Sequence, residues 1–167
     1  RRRAGTWTAG ATAHTAYQLR PEDWIVEKLG VPRETIRWTM NPGYGAHQWD
    51  GTINPLARLL EALAMGEDVC CESATGTGKT FLAACVVLWF LACFEDSLVV
   101  TSAPKADQLL QQVWKEIGGL WLRFLAHFPQ AELLTGLIRM RPEEKDKETW
   151  SAIAFVAGVG ADEDAAQ

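Results

Sequence analysis

The chain has 167 residues, 48% of them apolar, and a formal net charge of −5. This length and composition are typical of one globular domain with a buried core, and they argue against a chain that is disordered as a whole. The acidic balance argues against a broad nonspecific nucleic-acid surface, because such surfaces neutralise phosphates with lysine and arginine.

The four cysteines and three histidines do not have the spacing of a metal site. Cys70 and Cys71 fall in a predicted strand and Cys85 and Cys93 in the helix after it, so we expect all four to be small buried residues in a reducing compartment. The longest apolar run, residues 81–94, is shorter than the about 20 residues that a bilayer requires, and no signal peptide is visible. These features predict a cytoplasmic protein without a membrane partner.

Residues 1–20 are rich in Ala, Thr and Gly and show no hydrophobic period, which predicts a mobile N-terminal arm. Its arginines either touch nucleic acid or a neighbouring subunit, or are simply solvated. The rest of the chain, residues 21–167, is expected to form one domain. Because the sequence starts at Arg1 and ends without a closing element, we expect this domain to be incomplete at its C-terminus.

Two helices and a loop are predicted before the centre of the chain. Pro and two acids at the start and Gly at the end predict a helix at residues 21–30, and an Asn cap followed by Pro predicts another at residues 54–65. The loop between them carries Tyr44, Gln48 and Trp49. Either Gln48 and an aromatic ring recognise adenine, through an amide donor–acceptor pair and a stacking face, or the two rings cover an edge of the sheet.

The central motif is SATGTGKT at residues 73–80. A buried strand is predicted before it at residues 69–71, and a helix that is apolar on nearly every face is predicted after it at residues 80–94. Gly76 and Gly78 allow several backbone N–H groups to converge on a polyphosphate. The start of the helix adds further N–H groups and the positive end of its dipole.

The residues around these glycines fit the same function. Lys79 can reach the β and γ phosphates of a nucleotide, and Thr80 can supply a hydroxyl to Mg²⁺. Ser73 stands where the usual signature has Gly or Ala. The residues assigned to nucleotide binding are Ser73, Ala74, Thr75, Gly76, Thr77, Gly78, Lys79, Thr80 and Gln48. The alternative is a chance glycine turn that contains a lysine.

After the loop, strands are predicted at residues 97–102, 133–140 and 150–156, and a long amphipathic helix at residues 106–128. A glycine pair at 118–119 could kink or divide that helix. The order of strand, loop, buried helix and strand predicts an α/β fold with a mainly parallel sheet flanked by helices.

Two further groups of residues could carry chemistry. Hydrolysis needs an oriented water and a second partner for Mg²⁺, usually an Asp that ends a hydrophobic strand and is followed by a Glu. Asp162 and Glu163 either form this pair or, because glycines interrupt the stretch before them, belong to a loop while the true pair lies beyond this sequence. Pro104 starts a predicted helix whose N–H groups, with Lys105 and Gln108, either grip a phosphodiester or form an ordinary cap.

Three segments resemble a known family. SATGTGKTFLAA, TSAPKADQLLQQVWKEI and the later IRM followed by TWSAIAFVAGVGADEDAA are similar to segments of the large terminase subunits that pump DNA into phage heads. The first two also resemble the first two motifs of superfamily 2 helicases. The resemblance covers roughly residues 45 to 167 and implies a RecA-like P-loop ATPase fold of the ASCE type.

This resemblance implies roles for particular residues. Lys79 and Thr80 would bind the triphosphate of ATP and Mg²⁺ as the catalytic residues, Gln48 would recognise adenine, and Lys105 and Gln108 would lie near the DNA path. The implied partners are double-stranded DNA, further copies of the chain in a ring, a portal and a small terminase subunit, all in the host cytoplasm. Many terminases carry an arginine in the phosphate loop that SATGTGKT lacks, and no Walker B motif is identifiable.

The sequence therefore predicts the ATPase part of a motor that couples ATP hydrolysis to the movement of double-stranded DNA. One alternative is a fragment of a superfamily 2 helicase or translocase. A small-molecule kinase is less favoured, because the phosphate loop lies far from the N-terminus and no arginine-rich lid follows it.

Overall fold

The computed structural model describes residues 14–37, 54–72, 76–143 and 149–156. The helices in these ranges are α1 (Pro21–Glu27), α2 (Pro55–Ala64), α3 (Lys79–Cys93), α4 (Ala106–Leu109) and α5 (Lys115–Leu125). The strands are β1 (Leu98–Ala103), β2 (Glu132–Leu134), β3 (Leu137–Arg139) and β4 (Ser151–Val156). These elements form an α/β fold built on one open four-stranded sheet.

The sheet is mixed, in the order β1-β4-β3-β2, and the prediction of a mainly parallel sheet is wrong for these strands. Only β1 and β4 pair in parallel, with Leu98 beside Ser151. The β4–β3 and β3–β2 pairs are antiparallel. Parallel pairing requires a long crossover, and the helical residues between β1 and β4 supply part of one.

The strand predicted at residues 133–140 is instead the hairpin of β2 and β3, joined by Thr135 and Gly136. Gly136 has a φ of +71°, a left-handed conformation that favours glycine. A Cβ added to Gly136 would also lie 3.0 Å from Cβ of Ala154 on β4, which is closer than ordinary contact. Because apolar residues lie on both sides of this turn, the sequence pattern predicts one continuous strand instead of a hairpin.

Helix α3 runs through the core, as its apolar sequence predicts. It contacts α1, α5 and the sheet, and Ala84, Leu88, Leu91 and Trp89 are completely or almost completely buried. The carbonyls of its last turn accept hydrogen bonds from distant side chains: Trp150 Nε1 donates to Leu91 O at 2.8 Å. Among the described residues, no helix is long and apolar enough to cross a membrane.

The helical stretch after β1 is continuous from α4 to α5, and its irregularity is not at the glycine pair. Gly118 and Gly119 lie inside α5, and the distortion is a π-helical turn at Leu110–Trp114. Trp114 is buried at the end of this turn, where its Nε1 donates to Thr101 Oγ1 on β1 at 2.9 Å. The position of this wider turn coincides with the packing of a large side chain on the sheet.

The strand predicted at residues 69–71 is absent. Residues 65–72 are exposed, and residues 67–72 have no regular secondary structure. A strand forms only when it exchanges backbone hydrogen bonds with a neighbouring strand, and residues 69–71 pair with none of the four described strands. The prediction that all four cysteines are buried is therefore wrong for Cys70 and Cys71, which are exposed.

The other two cysteines are buried in α3, as predicted. Burial raises the pKa of both Cys85 and Cys93 to about 12. A thiol with such a pKa stays protonated at neutral pH and is a poor nucleophile. These two residues act as small apolar side chains of the core.

Candidate functional site: the loop before α3

The described part of the predicted phosphate loop runs directly into α3. Gly76 and Gly78 both have a φ of +83°, and Gly78 is the residue immediately before the first helical residue, Lys79. Side chains are disfavoured in this left-handed conformation, so the turn requires glycine at both positions. Turns of this kind orient successive N–H groups toward a shared concavity that binds anions.

The helix behind the loop contributes to the same site. The first intrahelical hydrogen bond runs from Leu82 N to Gly78 O at 2.9 Å, so the N–H groups that precede Leu82 lie at the N-terminus of the helix. These groups and the helix dipole attract negative charge to the N-terminus, and α3 is 15 residues long. The loop therefore leads directly into a helix that is mostly buried in the core from Leu82 onward.

Lys79 is turned back onto the loop that precedes it. Its Nζ lies 3.4 Å from Thr77 Oγ1, and the residue is half-buried. Thr80, the next residue, is also half-buried at the start of the helix. A positive charge, two hydroxyls and a helix N-terminus are therefore gathered within four consecutive residues.

The described residues leave space beside Gly76 and Gly78. A Cβ built on Gly76 or Gly78 meets no atom within 4 Å among the described residues. Among the described residues, close packing therefore does not account for glycine at these positions. What the glycines provide is backbone conformation, and with it room for a group that approaches the amides closely.

Lys105 and Gln108, the predicted DNA-contacting residues, are exposed, and Lys105 directly precedes α4. Only residues 94–97 join α3 to β1, so these elements run in opposite directions. Fifteen helical residues span about 22 Å and six strand residues about 20 Å, so we expect the start of α3 and the end of β1 to lie near the same edge of the sheet. Loops at the carboxyl ends of parallel strands are where α/β proteins usually bind ligands.

Several predicted site residues lie outside the described residues. These are Ser73, Ala74 and Thr75 of the loop, Gln48 of the adenine hypothesis, and the acidic pair Asp162 and Glu163. Within the described ranges, no three His, Cys, Asp or Glu side chains are grouped as a metal site. The roles assigned to these residues stay predictions.

One contact of the site was not predicted: the approach of Lys79 to Thr77, two residues earlier. A hydroxyl residue between two glycines, followed by lysine, is a sequence signal that could have indicated it. Comparisons of the chain with protein-family models, with curated proteins and with solved structures find no match.

Proposed function

We propose that this chain binds ATP with Mg²⁺ through residues 73–80 and hydrolyses it as part of a RecA-like P-loop ATPase. The observation that carries the proposal is the pair of left-handed glycines, Gly76 and Gly78, directly before a long buried helix, with Lys79 turned onto the loop. This arrangement supplies what a polyphosphate needs: converging amides, a helix dipole and a positive charge.

In the proposed complex the backbone of residues 76–80 holds the β and γ phosphates. Lys79 leaves Thr77 and places its ammonium between phosphate oxygens, while the Thr80 hydroxyl is within reach of the metal. The bound Mg²⁺ neutralises charge on the phosphates. The α3 N-terminus contributes about 0.3–1 kcal/mol, and up to about 2 kcal/mol where it is partly buried.

The wider proposal is a motor that moves double-stranded DNA during the packaging of a phage genome. It is supported by the resemblance of three sequence segments to large terminase subunits, and by the exposure of Lys105 and Gln108 after β1, at the edge where we expect the phosphate loop. A nucleic-acid contact at this edge would be close enough to sense the state of the nucleotide. A superfamily 2 helicase or translocase shares these features and is the second candidate.

Calorimetric titration of the chain with Mg-ATP tests the nucleotide site. Lys79→Ala removes one charge-assisted contact worth about 1.5–3 kcal/mol, so we expect affinity to fall about 10- to 100-fold. The control is Lys115→Ala, an exposed lysine within the helical stretch after β1, which should bind as the unsubstituted chain does. Equal affinity in the Lys79 variant would exclude this loop as the phosphate site.

The motor proposal has its own test. ATP turnover of the protein should be stimulated by double-stranded DNA, and Lys105→Ala should reduce that stimulation without weakening the binding of Mg-ATP. Stimulation by single strands or RNA instead would favour the helicase. Phosphate transfer to a small acceptor, without any effect of nucleic acid, would favour a kinase.

A further inference from the structure

Residues 14–20, here called the N-terminal strap, lie across two helices of the core. His14 is buried, with 8% of its surface exposed, and packs against α1 and against the turn after α5. Further along the strap, Tyr17 O accepts a hydrogen bond from Trp89 Nε1 at 3.0 Å, and Gln18 Nε2 donates to Cys93 O at 2.8 Å. The strap thus begins at a buried imidazole and is bonded to α3 beyond it.

The hydrogen bond of His14 fixes its protonation state. Trp24 Nε1 lies 3.0 Å from His14 Nδ1. An indole N–H can only donate, so Nδ1 must carry a lone pair, and the imidazole is neutral with its proton on Nε2. Since Trp24 is completely buried, its N–H would lose its partner if His14 were protonated.

The surroundings of His14 oppose a positive charge. Lys28 approaches from the end of α1, and His127 approaches from the turn after α5 with its ring centroid 5.4 Å away. These two neighbours also contact each other, since His127 Nε2 lies 3.0 Å from the backbone oxygen of Lys28. The ring of Phe128, 4.9 Å from His14, could weakly favour a cation, but it cannot replace the lost bond to Trp24.

We propose that His14 is a pH-sensitive latch, which holds the N-terminal strap on α1 and α3 at neutral pH and releases it when the imidazole is protonated. Protonation places two donors, Nδ1–H and Trp24 Nε1–H, against each other at 3.0 Å and introduces a positive charge that Lys28 and His127 disfavour. Release also removes the strap's bonds to Trp89 and Cys93, both on α3.

The direction of the pH effect follows from the pKa of His14. Burial lowers this pKa below the 6.5 that is usual for histidine, and His127 and Lys28 lower it further. The released strap therefore binds a proton more readily than the docked strap, and docking weakens as the pH falls below 6.5. While the docked His14 stays neutral, docking weakens about tenfold per pH unit, or up to about 30-fold at pH 5.

Hydrogen exchange of the strap amides, corrected for intrinsic rates, tests the latch in the whole chain at pH 7.5 and pH 5.0. In the unsubstituted chain we expect protection of residues 14–20 to fall by several-fold or more, up to the about 30-fold limit. His14→Asn keeps an oxygen near the position of Nδ1 but does not titrate, so its protection should be the same at both pH values. A fall in this variant equal to that of the unsubstituted chain would overturn the proposal.

A matched variant and a direct measurement complete the test. His127→Gln removes a neighbouring titratable group but keeps the latch, so strap protection should still fall on acidification, with a midpoint at higher pH. The imidazole nitrogen resonances of the unsubstituted chain report the tautomer and pKa without any substitution. A proton on Nδ1 at pH 7.5, or titration of His14 at or above 6.5, would exclude the latch even if a variant failed to fold.

Discussion

At the scale of single residues, two glycines and a lysine define the candidate site. Gly76 and Gly78 were identified from the sequence because the motif needs backbone amides that are free of Cβ, and both have the φ of +83° that favours glycine. The contact of Lys79 with Thr77 depends on the shape of the turn, which the motif alone does not specify. The residue types were therefore predictable, and their local geometry was not.

Gly78→Ala tests whether the loop depends on this backbone. An alanine at φ +83° costs about 1–2 kcal/mol, and the helix would have to start with a distorted turn. We expect the free energy of unfolding to fall by about that amount and the binding of Mg-ATP to fall with it, measured by denaturant unfolding and calorimetry.

The control is Gly118→Ala in α5. Gly118 is exposed inside the helix, and an added Cβ there meets no atom of the described residues within 4 Å. Alanine should raise the free energy of unfolding by about 0.4–1 kcal/mol, because it restricts the unfolded chain and favours helix. If the two alanines had the same effect, the left-handed turn before α3 would not be a requirement of the fold.

At the scale of elements, local signals located the helices well and the strands less well. Helix α2 begins where an Asn cap precedes Pro, and Asn54 Oδ1 accepts from Leu56 N at 3.1 Å. Such caps involve residues a few positions apart, so sequence alone reveals them. The strand predicted at residues 69–71 depends on a distant neighbour, and the hairpin turn at Gly136 interrupts a run that otherwise reads as one strand.

The contact between α1 and the turn at Arg33–Ile36 gives an element-scale prediction. Glu22 of α1 accepts from Arg37 Nε at 2.7 Å and from Arg37 Nη2 at 3.0 Å, and Arg33 Nη1 lies 2.7 Å from it. Burial alone would raise the pKa of Glu22, but the two arginines outweigh this effect, and the pKa lies below the 4.5 that is usual for glutamate. The ion pairs therefore stabilise the folded chain above about pH 4.5, and this stabilisation is lost as the pH falls through the lower folded pKa.

Glu22→Gln should consequently reduce the free energy of unfolding by about 1 kcal/mol at pH 7 and by little near pH 3, as measured by urea unfolding at each pH. The control is Glu61→Gln in α2, whose pair with Arg58 at 3.5 Å is exposed on both sides. This change should cost about 0–0.5 kcal/mol at either pH. An equal loss for Glu22→Gln at both pH values would show that packing, rather than charge, joins α1 to the turn.

At the scale of the whole molecule, α3 links the candidate site to the rest of the fold. Its first residue, Lys79, follows the loop, and its last turn is held by side chains from both ends of the described chain. Gln18 of the N-terminal strap donates a hydrogen bond to Cys93 O, and Trp150, the residue before β4, donates one to Leu91 O. These partners are about 60 to 75 residues away in sequence, so the hydrophobic pattern predicted the burial of α3 but not what holds its end.

The sheet shows the same limit of prediction. Strands β1 and β4 were expected from their apolar runs, and their parallel register brings Leu98 beside Ser151. Burial alternates along β1, and Leu98 and Val100 on the face away from α3 are each 53% exposed. A strand with one exposed face and a strand buried on both faces can have the same apolar composition. The sequence alone therefore did not show whether one or both faces of the sheet are covered at β1.

Trp150→Phe tests how firmly the end of α3 is held. The change keeps most of the ring packed against Phe128 but leaves Leu91 O, in the core, without the donor now 2.8 Å away. A buried carbonyl without a partner costs about 1–3 kcal/mol, so the free energy of unfolding should fall by that amount. Trp121→Phe is the control, since a phenylalanine there can still stack on Phe124 and the expected loss is smaller.

The same Trp150→Phe variant should still bind Mg-ATP. Lys79 lies at the other end of the helix, about 18 Å from Leu91 for twelve residues of rise, so affinity should stay within about twofold of the unsubstituted chain. A large loss of affinity without a loss of stability would show that the two ends of α3 are coupled through the helix, and the loop would then depend on more than its own first turn.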